Sequence, residues 1–186
     1  MKKDLKQFRE SCQQYPIMSD EGLDVILKDL NAKDKLLEIG TCVGYSALYL
    51  ATHQDITITT IERDDNRAKI AKENLASYPQ ITLIHQDALT VELDEVYDVI
   101  LFDAAKAQNQ AFFEKFQKNL KPGGLLFVDN VFFHGYVQDP EQVKDRKNLY
   151  RMVLKMKTFV EQMLKSDLDV EIIDVGDGLM RIKFPY

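Results

Sequence analysis

The sequence has few of the residues that form disulfide frameworks, zinc sites and membrane spans. Its two cysteines, Cys12 and Cys42, are too few for either a disulfide framework or a zinc site. The three histidines, His53, His85 and His134, are scattered without the spacing of metal ligands. No apolar run approaches the roughly 20 residues that span a bilayer, and the N-terminus lacks the apolar segment of a signal peptide. We therefore expect a cytoplasmic protein that does not enter a membrane.

Acidic residues outnumber basic ones along most of the chain, except in one window. The length of 186 residues predicts one compact domain over residues 1–186. The net charge is −6, which argues weakly against nucleic-acid binding. Between Lys144 and Lys157, however, six basic residues and one acid give a local net charge of +5, so the rest of the chain carries −11. This window is either the solvated face of a helix or a surface that binds a polyanion.

Short apolar segments alternate with longer amphipathic ones along the chain. The predicted buried strands are Lys35–Ile39, Ile56–Ile61, Ile81–His85, Asp98–Phe102 and Leu125–Val128. The predicted helices between them are Gly44–His53, Asp64–Ser77 and Gln108–Leu120, the last ending at a predicted helix stop over residues 121–124. This alternation predicts an α/β fold with a doubly wound, mostly parallel sheet.

The last third of the sequence follows a different pattern. Apolar residues at helical spacing predict one long amphipathic helix over Gln142–Lys165. Two strands, Asp169–Val175 and Leu179–Phe184, follow and are separated by a tight-turn signal at Gly176–Gly178. We expect these two strands to form an antiparallel pair, which brings the predicted sheet to seven strands.

Each parallel strand ends on an acid or just before one. These acids are Glu38, Glu62, Asp87, Asp103 and Asp129. One such acid often caps the following helix, but five at the ligand-binding edge of an α/β sheet would repel one another. The predicted ligand is therefore cationic or rich in hydroxyl and amine donors.

The turn after the first strand narrows the choice of ligand. Glu38, Gly40 and Ser46 belong to this turn and are candidate cofactor-binding residues, since glycine lets the backbone approach a ligand closely. The glycine spacing is not the Gly-x-Gly-x-x-Gly of a dinucleotide site. S-adenosylmethionine suits the acids better than NAD does, because it carries an ammonium, a sulfonium, ribose hydroxyls and an adenine amine. Glu62 stands where an acid binds ribose hydroxyls.

A second group of polar residues follows two of the predicted strands. Asp103, Asp129 and Asn130 offer only oxygen ligands, which suit a hard cation such as Mg²⁺. Lys106 comes three residues after Asp103 and is either a reactive amine at the same site or a solvent-exposed partner of that acid.

Several strings of the sequence resemble the metal-dependent O-methyltransferases that include the catechol and caffeoyl-CoA enzymes. They are Leu-Glu-Ile-Gly-Thr (37–41), Gly-Tyr-Ser (44–46), Phe-Asp-Ala-Ala-Lys (102–106), Val-Asp-Asn-Val (128–131) and Val-Gly-Asp-Gly-Leu (175–179). The resemblance runs from about Pro16 to Lys183. Within the family the sequence most resembles bacterial tRNA 5-hydroxyuridine methyltransferases, through residues 16–18, 103–108 and 129–135.

The resemblance implies a Rossmann-like sheet of seven strands, the last antiparallel, and a role for each matching residue. Asp103, Asp129 and Asn130 would bind the divalent metal, and Lys106 would be the catalytic lysine. Asp103 would also lie beside the methionine end of S-adenosylmethionine. The other implied cofactor contacts are Met18, Ser46, Glu62, Asp87 and Ala88.

The implied reaction is methylation of 5-hydroxyuridine at the tRNA wobble position, giving 5-methoxyuridine. The expected partner is then a tRNA anticodon loop, and we also expect a homodimer. A small catechol-type or hydroxycinnamoyl-type acceptor is the alternative that shares every site residue. An NAD oxidoreductase and a non-catalytic binding module are two further alternatives, disfavoured respectively by the glycine spacing and by the intact set of Asp103, Asp129, Asn130 and Lys106.

Overall fold

The computed structural model describes residues 4–186. Its strands are β1 (Lys35–Ile39), β2 (Thr57–Glu62), β3 (Ile81–His85), β4 (Tyr97–Phe102), β5 (Leu120–Asp129), β6 (Asp169–Ile173) and β7 (Leu179–Lys183). Its α-helices are α1 (Leu5–Ser11), α2 (Asp20–Asp29), α3 (Tyr45–His53), α4 (Asp65–Leu75), α5 (Asn109–Phe116) and α6 (Lys147–Lys165). Short 3₁₀ turns cover Lys106–Gln108, Gln117–Asn119 and Pro140–Val143. None of the helices in this described part is long and apolar enough to cross a membrane.

The seven strands form one sheet in the order β3-β2-β1-β4-β5-β7-β6. The first five strands pair in parallel, whereas β7 runs antiparallel to both of its neighbours, β5 and β6. The α/β fold with a seven-stranded, mostly parallel sheet is therefore confirmed, as is the antiparallel pairing of the last two strands. Strand order reverses between β1 and β4, and the crevice at such a reversal is where open α/β sheets bind ligands.

Helices cover both faces of the sheet, as a doubly wound fold requires. Alternate residues of the central strand β4 point to opposite sides: Val99 and Leu101 pack into one core cluster, and Ile100 and Phe102 into the other. The first cluster contains buried residues of α1 to α4, and the second contains those of α5 and α6. Because both faces are buried, the central strands are apolar throughout rather than alternating.

The predicted helix stop at residues 121–124 was wrong. Helix α5 already ends at Phe116, and the Pro-Gly-Gly segment lies inside β5. There it forms a bulge, because Leu120 pairs with Tyr97 while the next paired residue, Leu125, is opposite Val99. A Cβ on Gly124 would lie 2.8 Å from the Lys121 carbonyl oxygen, so the bulge requires glycine.

Two further differences concern helices. The helix predicted from Gln142 begins at Lys147, because Pro140–Val143 forms a separate 3₁₀ turn before it. Helices α1 and α2 were not predicted at all, although Ser19 caps α2 by accepting a hydrogen bond from the Gly22 amide at 3.1 Å. Strand β5 begins at Leu120, before the predicted start at Leu125, and the remaining boundaries differ from the prediction by at most two residues, the usual uncertainty at element ends.

Candidate active site

A cavity of about 240 Å³ opens at the carboxyl ends of β1 to β4. The turns that follow these four strands supply most of its wall, and the segment before α2 contributes Pro16. The predicted site residues that line it are Gly40, Glu62, Asp87, Ala88, Asp103, Lys106 and Asn130. The topology therefore brings these residues, which are distant in the sequence, together around the reversal between β1 and β4.

The turn after β1 depends on glycine for its close packing. Gly40 has a φ of 106°, and a Cβ at this position would lie 2.2 Å from the Asp103 carbonyl oxygen. No side chain can be placed there without moving the backbone of the turn after β4. The Asp103 amide donates to the Ile39 carbonyl oxygen at 2.9 Å, so the two turns are fixed against each other.

Glu62 is held in place by backbone amides. Its side chain at the end of β2 accepts a hydrogen bond from the Cys42 amide at 2.8 Å and from the Arg63 and Asp64 amides, each at 2.9 Å. The residue is 6% exposed and lines the cavity. A carboxylate has about four acceptor positions, so one remains for a ligand hydroxyl.

Glu38 lies beneath the cavity and does not line it. It is fully buried and accepts hydrogen bonds from the Ser46 and Thr60 hydroxyls. The Thr60 hydroxyl also bonds to that of Thr41, at 2.6 Å. Burial raises the pKa of Glu38 to about 7, against the opposing effect of its two hydroxyl partners. Glu38 thus connects β1 to α3 through Ser46 and to β2 through Thr60, beneath the cavity.

Met18 is also placed behind the wall, and it is 3% exposed. Its carbonyl oxygen accepts a hydrogen bond from Arg9 Nη1 at 3.2 Å, and Arg9 pairs with Asp20 at 2.8 Å. Tyr45 donates its hydroxyl to the same Asp20 oxygen at 2.7 Å. These contacts join α1, α2 and α3 and fix the chain segment whose Pro16 reaches the cavity.

Asp87 and Ala88 follow β3 on the far side of the cavity. The Asp87 carboxylate accepts a hydrogen bond from the Leu89 amide at 2.8 Å and faces Arg63 at 3.5 Å. Its side chain is 39% exposed, which leaves acceptor positions open to a ligand.

Two further acids stand close together where β4 and β5 end. Asp103 Oδ1 accepts a hydrogen bond from Lys106 Nζ at 2.8 Å, and both side chains are mostly buried. Asp129 is 5% exposed. Burial raises the pKa of Asp129 to about 7, and the neighbouring Asp103 charge acts in the same direction while Lys106 opposes it. Asn130, which has a φ of 58°, lines the same cavity as Lys106.

The donor set of Asp103, Asp129 and Asn130 fits a hard cation. The mutual repulsion of these two buried carboxylates, of which Asp103 is paired with Lys106, would be relieved by a divalent ion. Within residues 4–186, however, no group of three or more His, Cys, Asp or Glu side chains is arranged to hold a metal. The fit thus rests on the chemistry of two acids and one amide.

Sequence reasoning missed several residues of the cavity wall. They are Pro16, Cys42, Arg63, Arg67, Gln86 and Gln108. Arg63, Arg67 and Gln86 lie within a few residues of predicted strand ends, so the rule that ligands bind at those ends could have found them. Pro16 belongs to the string 16–18 that carries the resemblance, but no strand end marks it as a cavity residue, because only the packing of the N-terminal segment brings it there.

Comparisons with known proteins agree with this geometry. The sequence profile described as O-methyltransferase matches residues 2–183. A caffeoyl-CoA O-methyltransferase of Populus kitakamiensis is 32% identical over 200 residues, which cover 94% of this chain and 83% of the relative. The chain belongs to the O-methyltransferase family. The prediction of an S-adenosylmethionine-dependent O-methyltransferase is thereby confirmed.

Solved structures also resemble this O-methyltransferase. A Staphylococcus aureus protein, provisionally assigned as a caffeoyl-CoA O-methyltransferase, has 38% identity and a TM-score of 0.88, covering 97% of this chain and 92% of that one. TomG from Streptomyces achromogenes, an O-methyltransferase solved in complex with S-adenosylmethionine, has 25% identity and a TM-score of 0.78, covering 100% and 92%. Its bound cofactor agrees with the choice of S-adenosylmethionine over NAD.

Proposed function

We propose that this O-methyltransferase methylates 5-hydroxyuridine in a tRNA anticodon loop and uses a divalent metal ion. The observation that carries the choice of acceptor is the position of the basic helix α6, which packs against the 3₁₀ turn that begins at Lys106. The helix that carries most of the positive window therefore packs against the turn that begins with the proposed catalytic lysine.

The cofactor's place in the cavity follows from the charges that line it. Glu62 would accept a ribose hydroxyl at its remaining acceptor position, and Asp87 would accept the donors of the adenine end. Asp103 would face the ammonium of the methionine end. Gly40 leaves room at the floor between them, and Glu38 and Ser46 support that floor from below. Met18 acts through the segment that carries Pro16 rather than through the cavity wall.

Asp103, Asp129 and Asn130 would hold the metal. When bound, a divalent ion acts as a Lewis acid that lowers the pKa of the acceptor hydroxyl and fixes its direction. The amine of Lys106 would take the hydroxyl proton. The acceptor oxygen then forms a bond to the methyl carbon as the carbon–sulfur bond breaks in line with it. The cavity wall contributes by holding the two reactants at attack distance.

The basic face of α6 has the properties of a phosphate-binding surface. Arg146, Lys147, Arg151 and Lys155 are exposed. Lys144, just before these residues, pairs with Glu141, and Lys165, at the end of α6, pairs with Glu161. In the described part of the chain the four residues between them form no ion pair, so their charges are available to RNA phosphates. Unstacked anticodon bases are suited to presentation in a pocket.

One variant with a matched control tests the acceptor. Replacing Arg146, Lys147 and Arg151 with alanine should reduce methylation of a 5-hydroxyuridine tRNA by about tenfold or more, because each phosphate contact contributes to affinity. The control replaces three exposed lysines on the opposite face of the sheet, Lys28, Lys69 and Lys72, and makes the same change in net charge. Mass spectrometry of tRNA nucleosides measures the product.

Two outcomes would contradict parts of this proposal. Equal loss in both triple variants would mean that net charge, and not the α6 face, governs tRNA methylation. If the wild type does not methylate the tRNA but methylates a hydroxycinnamoyl acceptor, the small-molecule alternative is correct. That alternative is favoured by the 32% identity to a caffeoyl-CoA O-methyltransferase. Full activity of the wild type in excess EDTA would exclude the metal.

A further inference from the structure

The motif Val-Gly-Asp-Gly-Leu at residues 175–179 lies outside the cavity but next to the loop that leaves it. This loop, which we call the acceptor loop, runs from Asn130 to Val137 after β5. Its first residue, Asn130, lines the same cavity as Lys106. The motif forms the turn between β6 and β7, and β7 pairs with β5. The turn and the loop are therefore side by side at the end of two adjacent strands.

Asp177 makes the central contacts between the two segments. Its carboxylate oxygens accept the His134 amide at 2.8 and 2.9 Å, and its carbonyl oxygen accepts the Phe132 amide at 2.9 Å. The Gly178 carbonyl oxygen accepts the Val131 amide, also at 2.9 Å. Three amides of the acceptor loop are thus bonded to two residues of the turn.

The acceptor loop needs such external support because its backbone is unusual. Asn130, Phe133 and His134 have φ values of 58°, 47° and 57°, in the left-handed region that residues other than glycine rarely adopt. A backbone of this kind persists only where its surroundings hold it. The His134 amide, bonded to the Asp177 carboxylate, lies in the middle of this left-handed stretch.

We propose that Asp177 is a positioning residue that holds the acceptor loop in the conformation needed to bind the methyl acceptor. The inference rests on the proposed function in one respect, since it takes the acceptor to lie beside Asn130 and Lys106. Phe133, His134 and Tyr136 form a ring cluster on the loop, with centroid separations of 5.3 to 6.2 Å. Asp177 thereby fixes both the start of the loop and these rings.

The charge of Asp177 also acts on Asp129. A loss of activity in an Asp177 variant therefore has two explanations, the lost hydrogen bond to the loop and the lost charge, and these must be separated. The variant Asp177→Asn separates them, because it removes the charge and keeps a carbonyl oxygen that can accept the His134 amide. Asp177→Ala removes both the charge and the side-chain oxygens that accept the His134 amide. Asp174→Ala is the matched control, since Asp174 is an exposed acid of the same turn region.

Amide hydrogen exchange tests the contact without any acceptor. In the wild type, the His134 amide should be protected relative to a freely exposed amide. In Asp177→Ala it should exchange about tenfold faster or more, and in Asp177→Asn and Asp174→Ala within about threefold of the wild type. An unprotected His134 amide in the wild type, or an unchanged rate in Asp177→Ala, would overturn the proposal.

Steady-state kinetics test the consequence. With a 5-hydroxyuridine anticodon stem-loop, Asp177→Ala should raise the KM for the acceptor about tenfold and leave the KM for S-adenosylmethionine within about twofold, because only the acceptor loop is released. Asp177→Asn should restore most of the acceptor KM. If Asp177→Ala and Asp177→Asn lower kcat equally, the loss of the Asp177 charge that acts on Asp129 explains the effect, and the positioning role is wrong. If the wild type does not use the stem-loop, the same measurements with caffeoyl-CoA apply, so failure of the tRNA proposal is distinguishable from failure of this one.

Discussion

At the scale of single residues, acids at strand ends have different roles according to their contacts. Glu62 is the last residue of β2, whereas Glu38 is the next-to-last residue of β1 and pairs in register with Thr60. Glu62 is oriented by three backbone amides and lines the cavity, whereas Glu38 is sealed beneath it by Ser46 and Thr60. In the sequence both acids stand at or next to a strand end, and only register and packing separate the acid that lines the cavity from the one beneath it.

The role of Glu62 can be tested directly. Glu62→Ala should weaken S-adenosylmethionine binding by about 1.5–3 kcal/mol, the value of a hydrogen bond to a charged group. Isothermal titration calorimetry measures the affinity, and Glu73→Ala, an exposed acid on α4, is the control. Unchanged affinity in Glu62→Ala would remove this residue from the cofactor site.

Lys106 is expected to act as a base. Lys106→Ala should lower kcat by roughly 10²–10⁴, the usual effect of a positioned acid or base, and the loss should shrink at high pH where the acceptor hydroxyl ionises unaided. Lys106→Arg keeps the positive charge near Asp103 but does not give up its proton, so it should be similarly impaired. If Lys106→Arg retains wild-type turnover in a pH–rate profile, the residue acts through its charge alone.

At the scale of elements, the structure shows which sequence signals were sufficient to predict a helix or a strand. The central strands were found because both of their faces are buried, which makes them apolar along their whole length. The Pro-Gly-Gly segment was assigned to a helix end because its bulge depends on pairing with β4, a strand about 20 residues earlier. Helices α1 and α2 were missed although Leu23 and Ile26 already have helical spacing before the first strand.

Glu38 links three elements, and its pKa predicts a pH dependence of stability. The folded pKa of about 7 lies above the ordinary 4.5, so the folded state retains a proton that the unfolded chain releases between these values. The free energy of unfolding should therefore fall as the pH rises from about 4.5 to 7, by up to roughly 3 kcal/mol from this residue.

The variant Glu38→Gln isolates this contribution. Because glutamine does not titrate, the stability of the variant relative to the wild type should increase between pH 5 and pH 8 in urea denaturation, a change on the order of 2–3 kcal/mol. Glu73→Gln, an exposed substitution, should show no such trend. A difference between Glu38→Gln and the wild type that does not vary with pH would mean that Glu38 has the same charge in both states.

At the scale of the whole molecule, the distribution of charge is more informative than its sum. A net charge of −6 disfavours RNA, yet the window from Lys144 to Lys157 carries +5 and lies on a helix that packs against the Lys106 turn. If tRNA binds there, affinity should fall steeply with salt, by about tenfold or more between 50 and 200 mM, because phosphate contacts release counterions. Fluorescence anisotropy at several salt concentrations measures this, with S-adenosylmethionine binding as the reference. Equal salt dependence for the two ligands would contradict RNA binding on this face.

The sequence by itself determined the α/β class, the seven strands, the antiparallel final pair and the acids that end the parallel strands. These features are local, because apolar periodicity and turn residues can be read within a few positions. Its strings also indicated the family, which the comparisons then showed. Tertiary structure alone decided which acids reach the cavity, that Pro16 enters its wall, and that Asp177 supports the loop after Asn130. Those facts depend on contacts between residues far apart in the chain: Asp177 accepts the amide of His134, and the Met18 segment is tied to Arg9 and Tyr45.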